Sequence, residues 1–445
     1  MPNWSALSFV LLAFVTCPIL LEAADREEAL RIDRDRIRLR TDLKDENGTG
    51  TDIWIYNDIE TAKKIARKEN KPIFVTFRCV PCKACMGFDA EVAKGNERVH
   101  QLARQKFVSV RQVEMKGVDL SLFEFDFDLN WAAMFINADG AVYARYGTQS
   151  ADGPESFNSM VGLEKTMERV LKLHAGYPAN ATELKGKLPK RKNYKTALEM
   201  PGMINKSKLK GTTSRRNCIH CHMIHDAQNM SAQESGKYTQ EMLWRYPLPD
   251  NFGLSIDARD GAKIKSVKRG SAADKAGLKT GQSVTHVNGQ AIASIADIQW
   301  VLHHLSYGDD TVKIRTTKGE QTVALTKGWK KSDISWRGSM WSISPKLRVW
   351  MPPVTAADRR KNRLPEDQGA LIVKWINTGS AGGRAARNSG LRQGDIVIAL
   401  EGKPMKMTHR HFNLHIKLNY KIGEELPITV LRNGQRKNLS IKLVE

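Results

Sequence analysis

Cysteine is scarce in this chain of 445 residues, and long apolar runs are almost absent. Five of its six cysteines occupy two short stretches, CVPCKAC at 79–85 and CIHCH at 218–222. The sixth, Cys17, lies in the amino-terminal apolar segment, and the odd number that remains without it argues against a simple disulfide framework. Two functional pairs and one additional thiol, Cys85, explain the count better.

The only long apolar run is at the amino terminus, SALSFVLLAFVTCPILLEA, although no lysine or arginine precedes it. Its small terminal residues predict an export signal at residues 1–24, with cleavage near Ala23 or Ala24. Pro18 and Glu22 shorten the run below a comfortable membrane span, which disfavours the alternative of a retained anchor. We therefore expect a periplasmic or secreted protein without a stable membrane span, in a compartment where thiols can be oxidised.

Acidic residues are in deficit, because 48 Asp and Glu face 70 Lys and Arg for a net charge of +22. Such a charge favours acidic partners. The excess is concentrated in residues 185–216, which hold eleven Lys or Arg and one acid, Glu199. No recognition motif or stacking aromatic platform accompanies this charge, so we expect a solvated linker and no binding of nucleic acid.

The length predicts about three domains. A charged segment at 25–50 precedes an α/β unit at 51–178, in which IETAKKIARKEN and GLEKTMERVLKLHAGY have helical spacing. KPIFVTF and FVSVRQVEM indicate buried strands, and AAMFINADGAVYARYG indicates a hairpin that turns at Asn137 to Gly140. The basic segment at 179–250, which carries CIHCH, has little apolar periodicity, and we interpret it as a linker with a functional insert.

The remainder contains an internal repeat. GSAADKAGLKTGQSVTHVNGQAI recurs as GSAGGRAARNSGLRQGDIVIALEGKPM. Each copy predicts a strand, a small-residue turn, a short helix, a second strand and a glycine turn. The boundaries are 251–328 for the first copy and 329–445 for the second.

The first cysteine cluster follows a predicted strand and precedes a predicted helix. A thiol at a helix amino terminus is stabilised as thiolate, attacks a substrate disulfide, and leaves a mixed disulfide for the second thiol to resolve. Residues 53–175 resemble the thioredoxin superfamily, especially its exported members, through Lys71, Pro72, Phe74, Cys79, Pro81, Cys82, Lys83 and the later NADG. The resemblance implies a thioredoxin-like α/β fold with Cys79 as nucleophile and Cys82 as resolving thiol.

Two features depart from that family. Its cis-proline is replaced in LNWAAMF by Trp131 or Ala132. On a helix, residues 79, 82 and 85 would fall within about 120° of arc, so three thiolates including that of Cys85 could bind Cu(I) or Zn(II). Thiol redox chemistry, metal binding and a scaffold without turnover therefore all stay open.

The second cluster, Cys218-x-x-Cys221-His222, matches the attachment sequence of c-type haem. The two thioethers tether the porphyrin, and His222 would ligate the iron. Candidates for a sixth ligand are His225, Met230 and Met242. Two alternatives are a Zn(II) site, for which the ligands would come from Cys218, His220, Cys221, His222 and His225, and a local disulfide.

The two repeats resemble PDZ domains of bacterial periplasmic proteases. The residues that carry the resemblance are Gly270-Ser271-Ala272, Ala276-Gly277-Leu278, Gly281 and Asn288-Gly289 in one copy, and Gly379-Ser380-Ala381, Ser389-Gly390-Leu391, Gly394-Asp395 and Glu401-Gly402 in the other. The resemblance implies small α+β domains, each a partly open β-barrel, that capture a peptide by strand addition. The predicted peptide-binding residues are Phe252, Gly253, Leu254, Trp341, Ser342 and Ile343. The alternative is that both domains are spacers.

No G-x-S-x-G or G-[DN]-S-G-G precedes the repeats, so we expect no protease. His409, His411 and His415 cluster on a predicted helix without a nucleophile signature. The sequence predicts an extracytoplasmic thiol–disulfide oxidoreductase or electron-transfer protein whose PDZ-like pair recognises protein partners, with a further redox partner. The alternative is a non-catalytic periplasmic scaffold that binds peptides and carries haem or a metal structurally.

Overall fold

The computed structural model describes residues 34–48, 53–80, 84 and 86–445. The predicted signal segment, Cys17, Cys82 and Cys85 lie outside the described residues. The predictions that depend on them therefore stay predictions.

The first unit is a five-stranded mixed sheet flanked by helices. Its strands are β1 (Trp54–Tyr56), β2 (Ile73–Arg78), β3 (Val108–Gln112), β4 (Trp131–Ile136) and β5 (Val142–Tyr146). Its helices are α1 (Ile59–Glu69), α2 (Met86–Ala90), α3 (Glu97–Lys106) and α4 (Met160–Ala175), with a π-helical turn at Glu91–Gly95. The strand order is β1-β3-β2-β4-β5. The pairs β1–β3 and β3–β2 are parallel, and the pairs β2–β4 and β4–β5 are antiparallel.

Local signals place these elements where the sequence predicts them. The carboxylate of Asp58 accepts a hydrogen bond from the Thr61 amide at 3.0 Å and begins α1, and Asn70 ends it in the left-handed conformation at φ 48°. The turn between β4 and β5 is closed by Asn137, whose side-chain oxygen accepts from the amides of Asp139 and Ala141. The predicted helices, strands and hairpin of this unit are therefore confirmed.

The segment 179–250, which we predicted to be a linker with a functional insert, packs against the first unit. It contains α5 (Ala181–Leu184), α6 (Lys206–Leu209), α7 (Cys221–Glu234) and four 3₁₀ turns, at Lys185–Lys187, Ala197–Glu199, Gln240–Leu243 and Pro249–Phe252. Apolar residues spread between its lysines pack into the same core as β2 and β4, among them Ala197, Met200, Leu209, Ile219 and Ile224. Their irregular spacing produces no periodic signal, because short turns present them to the core.

The two repeats share one element order, as predicted, except that the second begins with an additional strand and helix. The first contains β6 (Leu254–Ile256), β7 (Ile264–Val267), α8 (Ala272–Lys275), β8 (Val284–Val287), β9 (Gln290–Ala291), α9 (Ile295–His303), β10 (Asp310–Thr316) and β11 (Gly319–Leu325). The second contains β12 (Val349–Trp350), α10 (Ala356–Lys361), β13 (Leu371–Ile372), β14 (Trp375–Ile376), α11 (Ala381–Asn388), β15 (Ile396–Leu400), β16 (Lys403–Pro404), α12 (His409–Asn419), β17 (Glu425–Arg432) and β18 (Gln435–Lys442). Each copy forms a two-stranded ribbon and a larger sheet, so neither is a closed barrel.

A 3₁₀ helix at Gly338–Ser342 joins the repeats and packs against α7. It was predicted to belong to the second repeat, but it lies against the segment that carries the second cysteine cluster. Across the residues with described coordinates, no helix has the length and apolarity that a membrane span requires.

Candidate functional site

The two cysteine clusters meet, although 141 residues separate the atoms in contact. Cys79 directly follows β2, whose buried residues carry the chain through the centre of the sheet. His220 caps the amino terminus of the 14-residue helix α7. The Cys79 Sγ lies 3.1 Å from the His220 Nδ1, which is hydrogen-bonding distance for sulfur and nitrogen. Sequence reasoning treated the clusters as separate sites and missed this pair.

The environment of His220 favours its neutral form. Burial, and then the neighbouring charge of His222, lower the pKa of His220. The two imidazoles are parallel, with ring centroids 5.8 Å apart and planes inclined by 2°. A neutral imidazole beside a thiol can accept the thiol proton, as nucleophile activation requires.

A cavity of about 240 Å³ opens beside this pair. Five parts of the chain line it: the end of β2 with Ala84, the loops before β4 and after β5, the start of α7, the segment around Trp336, and α12. Its lining residues are Cys79, Ala84, Asp128, Leu129, Asn130, Gln149, Pro154, Cys221, His222, Trp336, Gly338 and Arg410. The last of these belongs to α12 in the second repeat, so the cavity is completed by tertiary contacts between domains.

The Cys218 thiol does not share this environment. It is buried, and its Sγ lies 3.9 Å from the Val113 carbonyl oxygen. Burial, followed by the charge of Glu114, raises the pKa of Cys218 to about 12. A thiol held in this way is chemically inert.

This arrangement does not fit a haem. Both tethering thiols would have to face one open space, yet Cys218 packs away from the cavity that Cys221 and His222 line. The cavity is also smaller than the roughly 300–1,000 Å³ typical of small-molecule pockets. We assign no chemistry to haem, which stays a prediction from the motif alone.

His225, which was proposed as a further ligand, already has both ring nitrogens in hydrogen-bonding contact with other groups. His225 Nε2 accepts from the Phe127 amide at 3.1 Å, and its Nδ1 lies 2.8 Å from the Gln228 side-chain oxygen. Within the described part of the chain, one group of His, Cys, Asp or Glu residues has metal-like spacing, and it consists of Asp126, Asp128 and His225.

A guanidinium already compensates the two carboxylates of that group. Arg337 donates to Asp126 at 2.7 Å and to Asp128 at 3.2 Å, and Ser339 donates to Asp128 through its amide and its hydroxyl, both at 2.7 Å. Burial alone would raise the pKa of Asp126, but the Arg337 charge lowers it. The group is therefore an internal ion network that joins the first unit to the segment between the repeats.

The second repeat presents an open groove between β12 and α12. A cavity of about 230 Å³ lies there, and His409, Asn413 and Lys417 line it from successive turns of α12. The opposite wall is β12, preceded by Lys346 and Arg348. Exposed indoles surround the groove, with Trp341 42%, Trp350 50% and Trp375 55% accessible.

The loop that borders this groove differs from the one that the sequence predicted. Trp341 lines it as predicted, but Ser342 lies in the 3₁₀ helix and Ile343 is fully buried. The loop that precedes β12 is Lys346 to Arg348, with Arg348 at φ 54°. Our alignment was therefore a few residues too early, because the 3₁₀ helix between the repeats resembles a loop in sequence.

The first repeat has no equivalent open groove on its helix. Every residue of α9 from Ile295 to Leu302 is buried, because the helix packs on β5. Phe252 and Leu254, predicted to bind peptide, belong to the core of the repeat. Phe252 and Gly253 also line a different surface cavity, of about 650 Å³, between the loop before α8 and the end of β11.

Polar contacts hold α9 in place. The Asp297 carboxylate accepts from the amides of Arg145 and Ala293, each at 3.0 Å, and lies 3.0 Å from the Lys187 ammonium. The Arg145 guanidinium stacks over the Trp300 ring at 3.6 Å. The first repeat is therefore bound to the first unit by a buried, paired interface.

Comparison with known proteins identifies the domains. A family model described as a PDZ domain matches residues 251–326 and 366–443, and one described as thioredoxin-like matches residues 54–137. The chain thus contains a thioredoxin-like domain and two PDZ domains, which confirms the predicted fold class.

The relatives of the chain are proteases. A probable periplasmic serine endoprotease DegP-like of Marinomonas sp. is 30% identical over 200 residues, which cover 44% of this chain and 40% of the relative. Its counterpart in Ectopseudomonas mendocina is 26% identical over 211 residues, covering 44% and 41%. The chain thus spans about 40% of the length of the curated relatives that it matches. Among solved structures, the HtrA-type protease AlgW with decapeptide has a TM-score of 0.20 at 15% identity, covering 31% of this chain and 50% of that chain.

These relatives overturn two predictions. The expected thiol–disulfide oxidoreductase or electron-transfer protein, and the non-catalytic scaffold offered as its alternative, are wrong, since the matched relatives are named as serine endoproteases. Our exclusion of a protease is wrong for the same reason. That exclusion relied on the absence of two short serine motifs from the sequence before the repeats. Their absence does not test other arrangements of hydrolytic residues.

Proposed function

We propose that this protein acts in proteolysis outside the cytoplasm and that its second PDZ domain holds the polypeptide to be processed. The observation that carries the proposal is the open groove between β12 and α12. The names of the relatives, periplasmic serine endoproteases, support both the activity and the predicted periplasmic location.

The groove has the features needed to bind an extended peptide. Within the described residues, β12 pairs with β14 on one side, so its other edge faces α12 and can add a strand. Main-chain hydrogen bonds would supply affinity, and the indoles of Trp341, Trp350 and Trp375 would contact apolar side chains of the peptide.

Charge at the start of the groove suits a terminal carboxylate. Lys346 and Arg348 immediately precede β12, and the Lys417 ammonium donates to the carbonyl oxygens of Ile343 and Pro345 at 2.8 and 3.2 Å. Three cationic groups around one end of a peptide groove favour a ligand that ends in a free carboxylate. We therefore propose carboxyl-terminal segments as the ligands.

The two PDZ domains differ in the exposure of the helix beside the peptide groove, and we therefore propose different roles for them. Since α9 is buried against β5, the first PDZ domain fixes the second repeat relative to the thioredoxin-like domain. The second domain is then the receptor for substrate.

The binding test uses fluorescein-labelled octapeptides with varied last residues, each made with a free carboxylate and as the amide. We expect the free acids to bind the full chain and the amides to bind at least about tenfold more weakly, which is about 1.4 kcal/mol. Arg348→Glu should abolish this preference. The control is Lys437→Glu, which reverses an exposed charge on β18 of the same domain.

Proteolysis is tested in parallel by incubating the exported protein with β-casein and following fragments by mass spectrometry. We expect fragments with the wild-type chain and fewer with Arg348→Glu. Equal binding of acids and amides would contradict the recognition of carboxyl termini. Intact casein, together with intact octapeptides, would contradict the proteolytic role.

A further inference from the structure

We propose that Cys79 and His220 form a thiol-dependent hydrolytic centre in which Cys79 attacks the peptide carbonyl and His220 serves as base. The inference rests on the proposed function and names the catalytic group for it. Its starting point is the contact of 3.1 Å between Cys79 Sγ and His220 Nδ1 at the edge of a cavity.

Position and charge both favour a reactive thiol. The α7 helix begins at Cys221, with His220 as its cap, and its 14 residues are long enough to place partial positive charge at this end. Such a helix terminus, together with a histidine, stabilises thiolate.

The cavity also offers donors for a developing oxyanion. The Asn130 amide donates to the Gln149 side-chain oxygen at 3.0 Å. This contact orients the Gln149 amide with its oxygen toward Asn130 and turns its NH₂ group away. Both residues line the cavity with Cys79, and side-chain amides are effective oxyanion donors when held in place.

The proposed hydrolysis needs only Cys79, His220, the peptide and water. His220 accepts the Cys79 proton, the sulfur forms a bond to the carbonyl carbon, and collapse of the tetrahedral adduct breaks the carbon–nitrogen bond. The leaving amine takes the proton from His220, which leaves a thioester on Cys79. Water then gives a proton to His220 and attacks the thioester, and the carbon–sulfur bond breaks to release a carboxylic acid and the thiol.

The peptide groove and the cavity are adjacent. His409 lines the groove and Arg410, the next residue of α12, lines the cavity. The 3₁₀ helix at Gly338–Ser342 connects them a second time, since Gly338 faces the cavity and Trp341 faces the groove. A polypeptide bound at β12 would therefore contact α12 and the 3₁₀ helix, which both also line the cavity of the hydrolytic centre.

The test measures cleavage of β-casein and of quenched fluorescent octapeptides by the full exported chain under reducing conditions. We expect Cys79→Ala to lower the rate at least about 10³-fold and His220→Gln to lower it about 10²–10⁴-fold. The matched control is Cys218→Ser, which removes a buried thiol outside the cavity and should retain cleavage. Cys82→Ser should also retain cleavage, because hydrolysis needs one nucleophile and no resolving thiol.

A readout independent of turnover comes from the thioester. Hydroxylamine added during turnover should release an acyl hydroxamate from wild type, and mass spectrometry should place the acyl group on Cys79. Thermal unfolding of each variant shows that it is folded, and Cys79→Ser replaces the thiol with a hydroxyl of nearly the same shape.

The outcomes separate the two proposals. Cleavage that survives in Cys79→Ala overturns the thiol centre while the proteolytic function stands. Equal loss in Cys82→Ser and Cys79→Ala also overturns it, since that result indicates chemistry that needs two thiols. Peptide binding without any cleavage overturns the thiol centre and the proteolytic role, whereas recognition of carboxyl termini stands.

Discussion

Replacing Arg337 with methionine should destabilise the fold severely, because it leaves two buried carboxylates without their counter-ion. The guanidinium lies 2.7 Å from Asp126 and 3.2 Å from Asp128, and it donates to the Arg245 carbonyl oxygen at 2.6 Å. All three ionic side chains are buried. Methionine keeps an unbranched apolar stem and removes the guanidinium with its charge.

The size of the expected loss in unfolding free energy follows from the burial of these ion pairs. Removing one partner of a buried ion pair costs about 3–5 kcal/mol, and Ser339 continues to donate two hydrogen bonds to Asp128. We therefore expect a loss of about 4 kcal/mol in the free energy of unfolding, against a total of roughly 5–15 kcal/mol for a typical domain. The control is Arg67→Met, whose partner Asp139 is 3.1 Å away but whose pair is 62% and 66% exposed, and we expect about 0–1 kcal/mol there.

The pH dependence gives a second, independent check. The lowered pKa of Asp126 contributes stability that is present above its ordinary pKa and lost as the pH falls through the folded value. Without Arg337, burial would raise the pKa of the Asp126 carboxyl. The variant should therefore regain stability as the pH falls from 7 toward about 5, where such carboxyls take up protons.

Urea unfolding followed by tryptophan fluorescence, at pH 7 and at pH 5, measures both effects. The wild type should change little between these values, and the gap between variant and wild type should narrow at pH 5. A loss below about 1 kcal/mol at pH 7, or a gap that is the same at both pH values, would refute the reasoning.

Three other predictions follow from buried groups. Burial, aided by the charges of Lys346 and Arg348, lowers the pKa of Lys417 to about 7, so octapeptide acids should bind more tightly as the pH falls through 7, and Lys417→Gln should flatten that profile. Because its thiol pKa is about 12, Cys218 should react with iodoacetamide at pH 8 only after unfolding, and rapid labelling of folded protein by peptide mapping would contradict its burial. Asp297→Ala should cost about 3–5 kcal/mol because it strands the buried Lys187 ammonium; a urea midpoint equal to that of the exposed control Asp139→Ala would argue against a paired interface.

Much of the fold was predictable from local pattern. The helical spacing that predicts α1, with Asp58 before it and Asn70 after it, and the apolar run that becomes β2 are signals within about a dozen residues. The repeat was equally visible, because each copy carries its own small-residue turns. Segment 179–250 was not, since its apolar residues reach the core from short turns without any period.

Much less of the candidate site was predictable. The motifs singled out Cys79 and the CIHCH stretch as candidates, but they did not show that the histidine inside the second motif meets the first. The same limit applies to peptide binding, for which sequence similarity made both PDZ copies equal candidates. Only packing shows that α9 is covered and that α12 borders an open groove.

The sequence by itself determined the order of the domains, the strands and helices of the first unit, and the presence of two cysteine clusters. These properties depend on periodicity, capping and motif spacing, which act over a few turns of chain. Tertiary structure alone decided that Cys79 and His220 are partners, that Cys218 is withdrawn from them, and that one PDZ groove is closed. Those outcomes depend on which surfaces bury each other, and burial is a property of the whole packed molecule that no short stretch of residues contains.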